Sequence, residues 1–289
     1  MAQADKPLVY PATQGADVLH TVAPPTVLTI AGSDPSGGAG IQADLATIAA
    51  FGCHGAAAIT ALTVQDTRNV QGFRVIGAGE LRDQAAAVLA DIPVAAVKVG
   101  MLGSVDNARA VADLLAGHPD IPAVVDPVLV AAGGGGLAEE DLAEVLQGTL
   151  FPRATVVTPN HDEAIRLTGG ETVPEAIADE LLRDGAHYIL LKGGHRNEDA
   201  EIVTDRLFSF GQEEANFSHP RLPDRGYHGS GCTLSTAIAC ALADGREIVE
   251  AVRTGIDFTH RALRAAYVPG RGQAVPNRLF HWRNWEAED

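Results

Sequence analysis

The sequence predicts an α/β protein: a three-layer α/β/α sandwich with a mostly parallel central sheet, helices on both faces and a small antiparallel hairpin at one edge. Short apolar segments recur along the chain, each followed by a glycine or polar turn and then a helix-forming stretch, the rhythm of βαβ units. Several of these segments are apolar throughout rather than alternating, as in strands covered on both faces. A third observation is one glycine-rich turn, Gly226-Tyr227-His228-Gly229-Ser230-Gly231-Cys232-Thr233, that runs straight into the small-residue helix Leu234 to Ala243.

That turn organises the rest. Glycines let backbone N–H groups converge, and a helix starting there adds partial positive charge, so Gly229, Ser230 and Gly231 are candidates for an anion hole. Cys232 sits at the helix N-terminus, where a thiol pKa falls from about 8.5 toward neutrality, which makes it a candidate proton acceptor. The plainer reading is a tight turn with a packed cysteine.

At 289 residues the chain is long enough for one large or two ordinary domains, and with no clear linker it reads as a leader over 1–25 followed by one domain over 26–289. A net charge of -16 argues against nucleic acid or an anionic membrane as partner. An acidic protein that binds a nucleotide must supply positive potential locally, from backbone amides, a lysine or two and a divalent cation. Cys53, Cys232 and Cys240 show no disulfide spacing, which fits a reducing cytoplasm. The N-terminus lacks a signal pattern, and no apolar run approaches the roughly 18 residues of a membrane helix.

In chain order, Val27 to Ala31 is a strand, Gly32 to Gly40 a glycine loop and Ile41 to Phe51 a helix. Gly38-Ala39-Gly40-Ile41-Gln42-Ala43 formally matches the dinucleotide fingerprint, so an NAD-dependent oxidoreductase is a rival; the long loop before the match favours wrapping a small ligand instead. Ala56 to Val64 reads as a central strand, with Gln65 beyond its end offering a donor and an acceptor suited to an amino-substituted ring nitrogen. Asp44 is either a solvated helix acid or a ligand group, and Lys98, inside the strand Val94 to Val99, needs a partner that the sequence does not name.

Leu81 to Ala90 and Val105 to Ala116 are helices, and Met101, in the turn between the strand and the second of them, either presses on an aromatic ligand or fills core. Asp126 stands at the tip of the strand Ala123 to Val128, a metal or phosphate-site candidate, and Gly133 to Gly136 form a loop that closes over a ligand or merely connects. After the strand Thr155 to Pro159, Asn160 and Glu163 have capping-box spacing; the same pair can face Mg²⁺. The strand Tyr188 to Leu191 ends in Lys192-Gly193-Gly194-His195, a phosphate-contact pattern. Leu207 to Phe210 and Asn216 to Ser218 form the edge hairpin, Ile248 to Ala266 the last helix, and Val268 to Asp289 a tail whose Trp282 and Trp285 pack back.

Ile30 to Asp44, Gln65-Asp66-Thr67, Val99 to Leu102, Asp126-Pro127-Val128, Thr158-Pro159-Asn160, Leu191 to His195 and His228 to Ser235 together resemble the hydroxymethylpyrimidine/phosphomethylpyrimidine kinases of thiamine biosynthesis, in the ribokinase-like superfamily. The likeness is collinear over about residues 26 to 285. It implies ATP-dependent phosphorylation of 4-amino-5-hydroxymethyl-2-methylpyrimidine and then of its monophosphate. Carried over by motif, Gln65, Asp44, the Gly32 backbone, Met101 and Val128 shape a pyrimidine pocket; Asp126 and Glu163 hold Mg²⁺; Lys192, Asn160 and Gly194 meet ATP; Gly229, Ser230, Gly231 and Cys232 form the anion hole and base. The resemblance also implies a homodimer, and a monovalent cation is a further candidate ligand.

Three positions depart from the family pattern: Asp66 where Asn is common, Ala131-Ala132-Gly133 where a Lys-Ser-Gly turn is usual, and Ser230 where Thr is usual. A pyridoxal kinase of the same cysteine-bearing type is the nearest alternative activity, and a catalytically idle nucleotide-binding regulator is a more distant one.

Overall fold

In a computed structural model, residues 23–129, 142–194, 200–223 and 226–282 are described. Most of the leader, the Gly133 to Gly136 loop, His195 and Trp285 lie outside them.

A nine-stranded sheet runs through the molecule in the order β3-β2-β1-β4-β5-β6-β7-β8-β9. Six strands are parallel: β1 (Thr26–Ser33), β2 (His54–Gln65), β4 (Val94–Val99), β5 (Ala123–Val125), β6 (Val156–Val157) and β7 (Tyr188–Leu191). The edge strand β3 (Val70–Val75) pairs antiparallel with β2, and the hairpin β8 (Ile202–Ser209) and β9 (Gln212–Pro220) adds antiparallel to β7. β1 is followed by β2 on one side and flanked by β4 on the other, so the strand order reverses between β1 and β4. In open α/β sheets a ligand cleft opens outside the carboxyl ends of strands at such a point.

Helices cover both faces. Because side chains alternate across a strand, Leu28 and Ile30 of β1 and Val97 and Val99 of β4 face one layer, while Val27 and Ala96 face the other. The first layer holds α2 (Ala78–Asp91), α3 (Val105–Ala116), α4 (Leu142–Val145), α5 (His161–Leu167) and α6 (Pro174–Arg183), through residues such as Leu81, Val111, Leu142, Ala164 and Ile177. The second holds α1 (Gly40–Ala50), α7 (Ser230–Ala243) and α8 (Ile248–Arg264), through Ile48, Ile238 and Val252. Ser104 caps α3 by accepting from Asn107 N at 3.2 Å, and Pro174 opens α6, where a missing N–H costs nothing.

Two expectations change. β2 is not central: it lies one strand from the edge, and its far end is open, with Leu62 46% and Val64 60% exposed. Its neighbour β3 has weak, glycine-interrupted alternation, which hides it from pattern reading. The tail does fold back, but not through Trp282, which is 63% exposed. Backbone hydrogen bonds hold it instead, from Gln273 N to Thr67 O and from Asn277 N to Ala262 O, and Arg278 is buried.

Candidate active site

The carboxyl ends of β1, β4, β5, β6 and β7 converge with the first turn of α7 on a cleft of about 560 Å³. Gly229 precedes α7 in a left-handed conformation, φ 80° and ψ 18°, and a Cβ there would stand 1.9 Å from Gly38 O. Only glycine fits both the dihedral and the contact. Ser230, Gly231 and Cys232 follow it along the cleft wall, on a helical turn whose first amides have no helix partner.

Gly231 lies close to a charged trio. A Cβ on it would be 3.2 Å from Asp126 Oδ2 and 3.4 Å from Lys192 Nζ. Lys192 Nζ is 3.0 Å from Asp126 Oδ1 and 3.9 Å from Glu163 Oε2, so two carboxylates converge on one cationic position. Burial pushes the Glu163 carboxyl up to about 7, with the Lys192 charge opposing and the Asp126 charge adding. The capping box is also present: Asn160 N donates to Glu163 Oε2 at 2.8 Å, and Glu163 N to Asn160 Oδ1 at 2.8 Å. Capping and cation binding are therefore compatible, since one carboxylate oxygen closes the cap while the group still borders the cleft. Among the described residues no cluster of three or more His, Cys, Asp or Glu is arranged to hold a metal by protein groups alone. Two hard carboxylate groups suit Mg²⁺, which favours oxygen ligands and keeps several waters. Lys192 Nζ already marks where a cation is held.

The same cleft is lined by Gly32, Gln65, Met101 and Val128, with Ser33 and Thr63 beside them. Gln65 is the last residue of β2, and its side-chain nitrogen lies 2.6 Å from His228 Nε2, which is also 3.0 Å from Asp34 Oδ2. One ring nitrogen cannot both accept from an amide NH₂ and donate to a carboxylate. Donation to Asp34 requires the glutamine amide turned, with Oε1 toward the ring and NH₂ toward the cleft; such amide orientations follow from the hydrogen-bond network. Burial alone would raise the Asp34 carboxyl, but hydrogen bonds from His228, Ser36 and Ala39 hold it below the usual carboxylate range. His228 thus ties the glycine loop before α1 to the glutamine.

Thirteen of the fourteen site residues expected from sequence line this cleft, Asn160 and Gly194 included. Asp44 does not. It is fully buried behind the cleft, where Oδ2 accepts from Lys98 Nζ at 2.8 Å and Thr29 Oγ1 at 2.6 Å, and Oδ1 from Thr236 Oγ1 at 2.8 Å. Asp44 is therefore the partner Lys98 needed. Burial would lower the Lys98 ammonium, but the Asp44 charge and hydrogen bond, together with the Cys232 and Asp126 charges, outweigh it and keep the lysine above its usual range.

A second correction concerns Cys232. Its thiol is not drawn toward neutrality: burial pushes it up, and Lys98 offsets this only partly while Asp44 and Asp126 oppose.

Beyond Lys192 the cleft continues between the hairpin and α8, past Val203, Leu234, Thr259 and Leu263, with Asp205 and His219 at its side. Asp205 Oδ1 accepts from Gly193 N at 2.7 Å, and a Cβ at Gly193 would stand 2.1 Å from Thr204 O. Asp205 and Arg278 carry no local sequence signal, because each acts across a long stretch of chain, and His228 stands in the glycine-rich turn without any sign of its distant partners Gln65 and Asp34.

Among solved structures, the ADP complex of Bacillus subtilis pyridoxal kinase superposes with a TM-score of 0.82 at 31% identity, covering 91% of this chain and 100% of that one. The phosphomethylpyrimidine kinase from Clostridium difficile 630 does so with 0.70 at 36% identity, covering 83% and 99%. Fold and neighbours define a phosphotransferase with the ribokinase-like architecture. A sequence profile described as phosphomethylpyrimidine kinase matches residues 34–277. A hydroxymethylpyrimidine/phosphomethylpyrimidine kinase of Streptomyces coelicolor is 45% identical over 256 residues, 87% of this chain and 93% of its own; one of Rhizobium meliloti is 41% identical over 262 residues, 88% and 97%. The chain belongs to the phosphomethylpyrimidine kinase family.

Proposed function

We propose that this protein transfers the γ-phosphoryl group of ATP to the hydroxymethyl arm of 4-amino-5-hydroxymethyl-2-methylpyrimidine, and then to the monophosphate, giving the diphosphate used in thiamine biosynthesis. The observation that carries the reading is the placement of the α7 first turn: Cys232 shares one cleft with Gln65, Met101 and Val128 and with the Asp126, Glu163 and Lys192 trio.

In this reading the Gln65 amide holds the ring between Gly32, Met101 and Val128. The amides of Ser230, Gly231 and Cys232 receive the transferring phosphoryl group, where donors aimed at developing charge are worth more than in water. Lys192 Nζ moves from carboxylate to phosphate contact, and Asn160 and Gly194 border the nucleotide. The apolar wall of Val203, Leu234 and Leu263 suits a nucleobase. Asp126 and Glu163 would hold Mg²⁺, which supplies charge neutralisation between the phosphates. Cys232 takes the alcohol proton as its thiolate, a minority form in the resting site; a loose phosphoryl transfer demands little of its base. Residues 26–289 act as one kinase domain, operating as a cytoplasmic homodimer, and a monovalent cation beside the anion hole belongs to the same reading.

Phosphorylation of pyridoxal is the second reading. It is favoured by shape, the TM-score being higher to the Bacillus subtilis pyridoxal kinase, and disfavoured by identity, which is higher to the Clostridium difficile enzyme. Turnover with Mg·ATP and, side by side, the pyrimidine alcohol, its monophosphate and pyridoxal decides between them. The pyrimidines are expected to turn over with the higher kcat/KM; preference for pyridoxal would reverse the assignment, and NADH-dependent absorbance changes would favour the oxidoreductase.

A further inference from the structure

Two of the buried cations near the cleft have carboxylate partners: Lys98 has Asp44, and Lys192 has Asp126 and Glu163. Arg278 does not. It is 5% exposed, on the returning C-terminal segment, and among the described residues every hydrogen bond it makes goes to a neutral oxygen. Nη2 donates to Gly38 O at 2.6 Å and, at 3.5 Å, to Gly229 O; Nε donates to Thr233 Oγ1 at 3.0 Å. Among the described residues no carboxylate lies within ion-pair distance of it, and the Asp44 and Asp34 charges reach it only from farther off, without offsetting its burial.

A guanidinium buried without a counter-ion is unfavourable, and breaking even with it needs negative charge nearby. The oxygens it binds belong to the glycine loop before α1 and to the first turn of α7, whose other side walls the cleft. The Gly229 carbonyl shares a peptide group with the Ser230 N–H, so a cation on the carbonyl side strengthens the donor on the cleft side. In a chain of net charge -16, this places one fixed positive charge behind the loops that would meet a polyanion.

We propose that Arg278 is a positioning residue for phosphoryl transfer: without touching ligand, it clamps the two glycine loops together and holds the standing countercharge that an incoming phosphate group balances. This rests on the kinase reading above. The test measures ADP and pyrimidine affinity by calorimetry, with ADP-induced thermal stabilisation, in the wild type, Arg278→Lys and Arg278→Met. Arg278→Met is expected to weaken ADP about tenfold or more while changing pyrimidine affinity little, and to lose most of the ADP-induced shift. Arg278→Lys, which keeps the charge but not the fork, is expected to recover most of the ADP affinity. A lysine variant as weak as the methionine one, or equal losses for ADP and pyrimidine, would reduce Arg278 to a structural strap and overturn the proposal. If Arg278→Met does not fold, the lysine variant decides alone: retained ADP affinity supports the countercharge, and its loss overturns it. A wild type that binds no ADP sinks the kinase reading and this inference with it; a wild type that binds ADP beside an Arg278→Met that binds it equally well sinks this inference only.

Discussion

Lys98 Nζ lies 2.8 Å from Asp44 Oδ2, and neither side chain is exposed. The pair joins β4 to α1, and Thr236 of α7 donates to the same carboxylate, so one ion pair pins both helices that follow the glycine loops. Removing one partner of a buried pair leaves an unpaired charge, a loss of about 3–5 kcal/mol. Lys98→Met and Asp44→Asn are each expected to lower stability by that order in urea unfolding, and the double variant Lys98→Met/Asp44→Leu by much less than their sum. An Asp44→Asn protein of unchanged stability but weakened pyrimidine binding would restore Asp44 to the ligand.

The raised Cys232 thiol sets a pH dependence. A thiol whose pKa rises on folding stays protonated where the unfolded chain's has begun to ionise. Its stabilising contribution is therefore complete below about pH 8.5, the unfolded value, and is lost as pH climbs through the folded one. Alkylation of Cys232 by iodoacetamide, followed by mass spectrometry of the modified peptide, is expected to accelerate steadily beyond pH 9. A rate already level near pH 7 would mean a preformed thiolate.

In the proposed reading Gln65 is the polar contact of the pyrimidine ring. Gln65→Ala leaves ring polar atoms unpaired, and pyrimidine binding measured by calorimetry is expected to weaken by about 1–3 kcal/mol. Unchanged affinity would move the ring elsewhere in the cleft. ADP affinity serves as the control and is expected to hold.

Gly229→Ala puts a Cβ against the Gly38 carbonyl at a positive φ. The first turn of α7 must shift, and turnover is expected to drop about 10² to 10³-fold, the loss typical of one misplaced anion-hole donor. Gly37 also has positive φ but open space around it, so Gly37→Ala is expected to act through strain alone, with the smaller effect on kcat. Similar kcat for the two variants would contradict the contact argument.

Much of this was readable before any coordinates. Val94–Val99, Val105–Ala116 and Tyr188–Leu191 fall where continuous apolar runs and helical spacing place them, because those signals depend on neighbours a few residues away. β3 escaped since an edge strand needs only half a pattern, and Val70–Val75 has Gly72 and Arg74 within it. The cleft walls were visible as motifs. Their supports were not: Lys98 to Asp44, His228 to Asp34 and Arg278 to Gly38 join residues 54, 194 and 240 positions apart. The direction of the Cys232 shift was equally hidden, because it depends on burial and on the Asp44 and Asp126 charges, groups far away in the sequence.

In the proposed mechanism α7's opening amides and the Cys232 sulfur together move a phosphoryl group onto a bound alcohol. Phosphate transfer from Mg·ATP to the pyrimidine alcohol, followed by ³¹P NMR in wild type and Cys232→Ala with pyrimidine affinity measured in parallel, tests it most directly. The expected result is a rate about 10² to 10⁴-fold lower in the alanine variant with pyrimidine still bound. Transfer at the wild-type rate without the sulfur would contradict it.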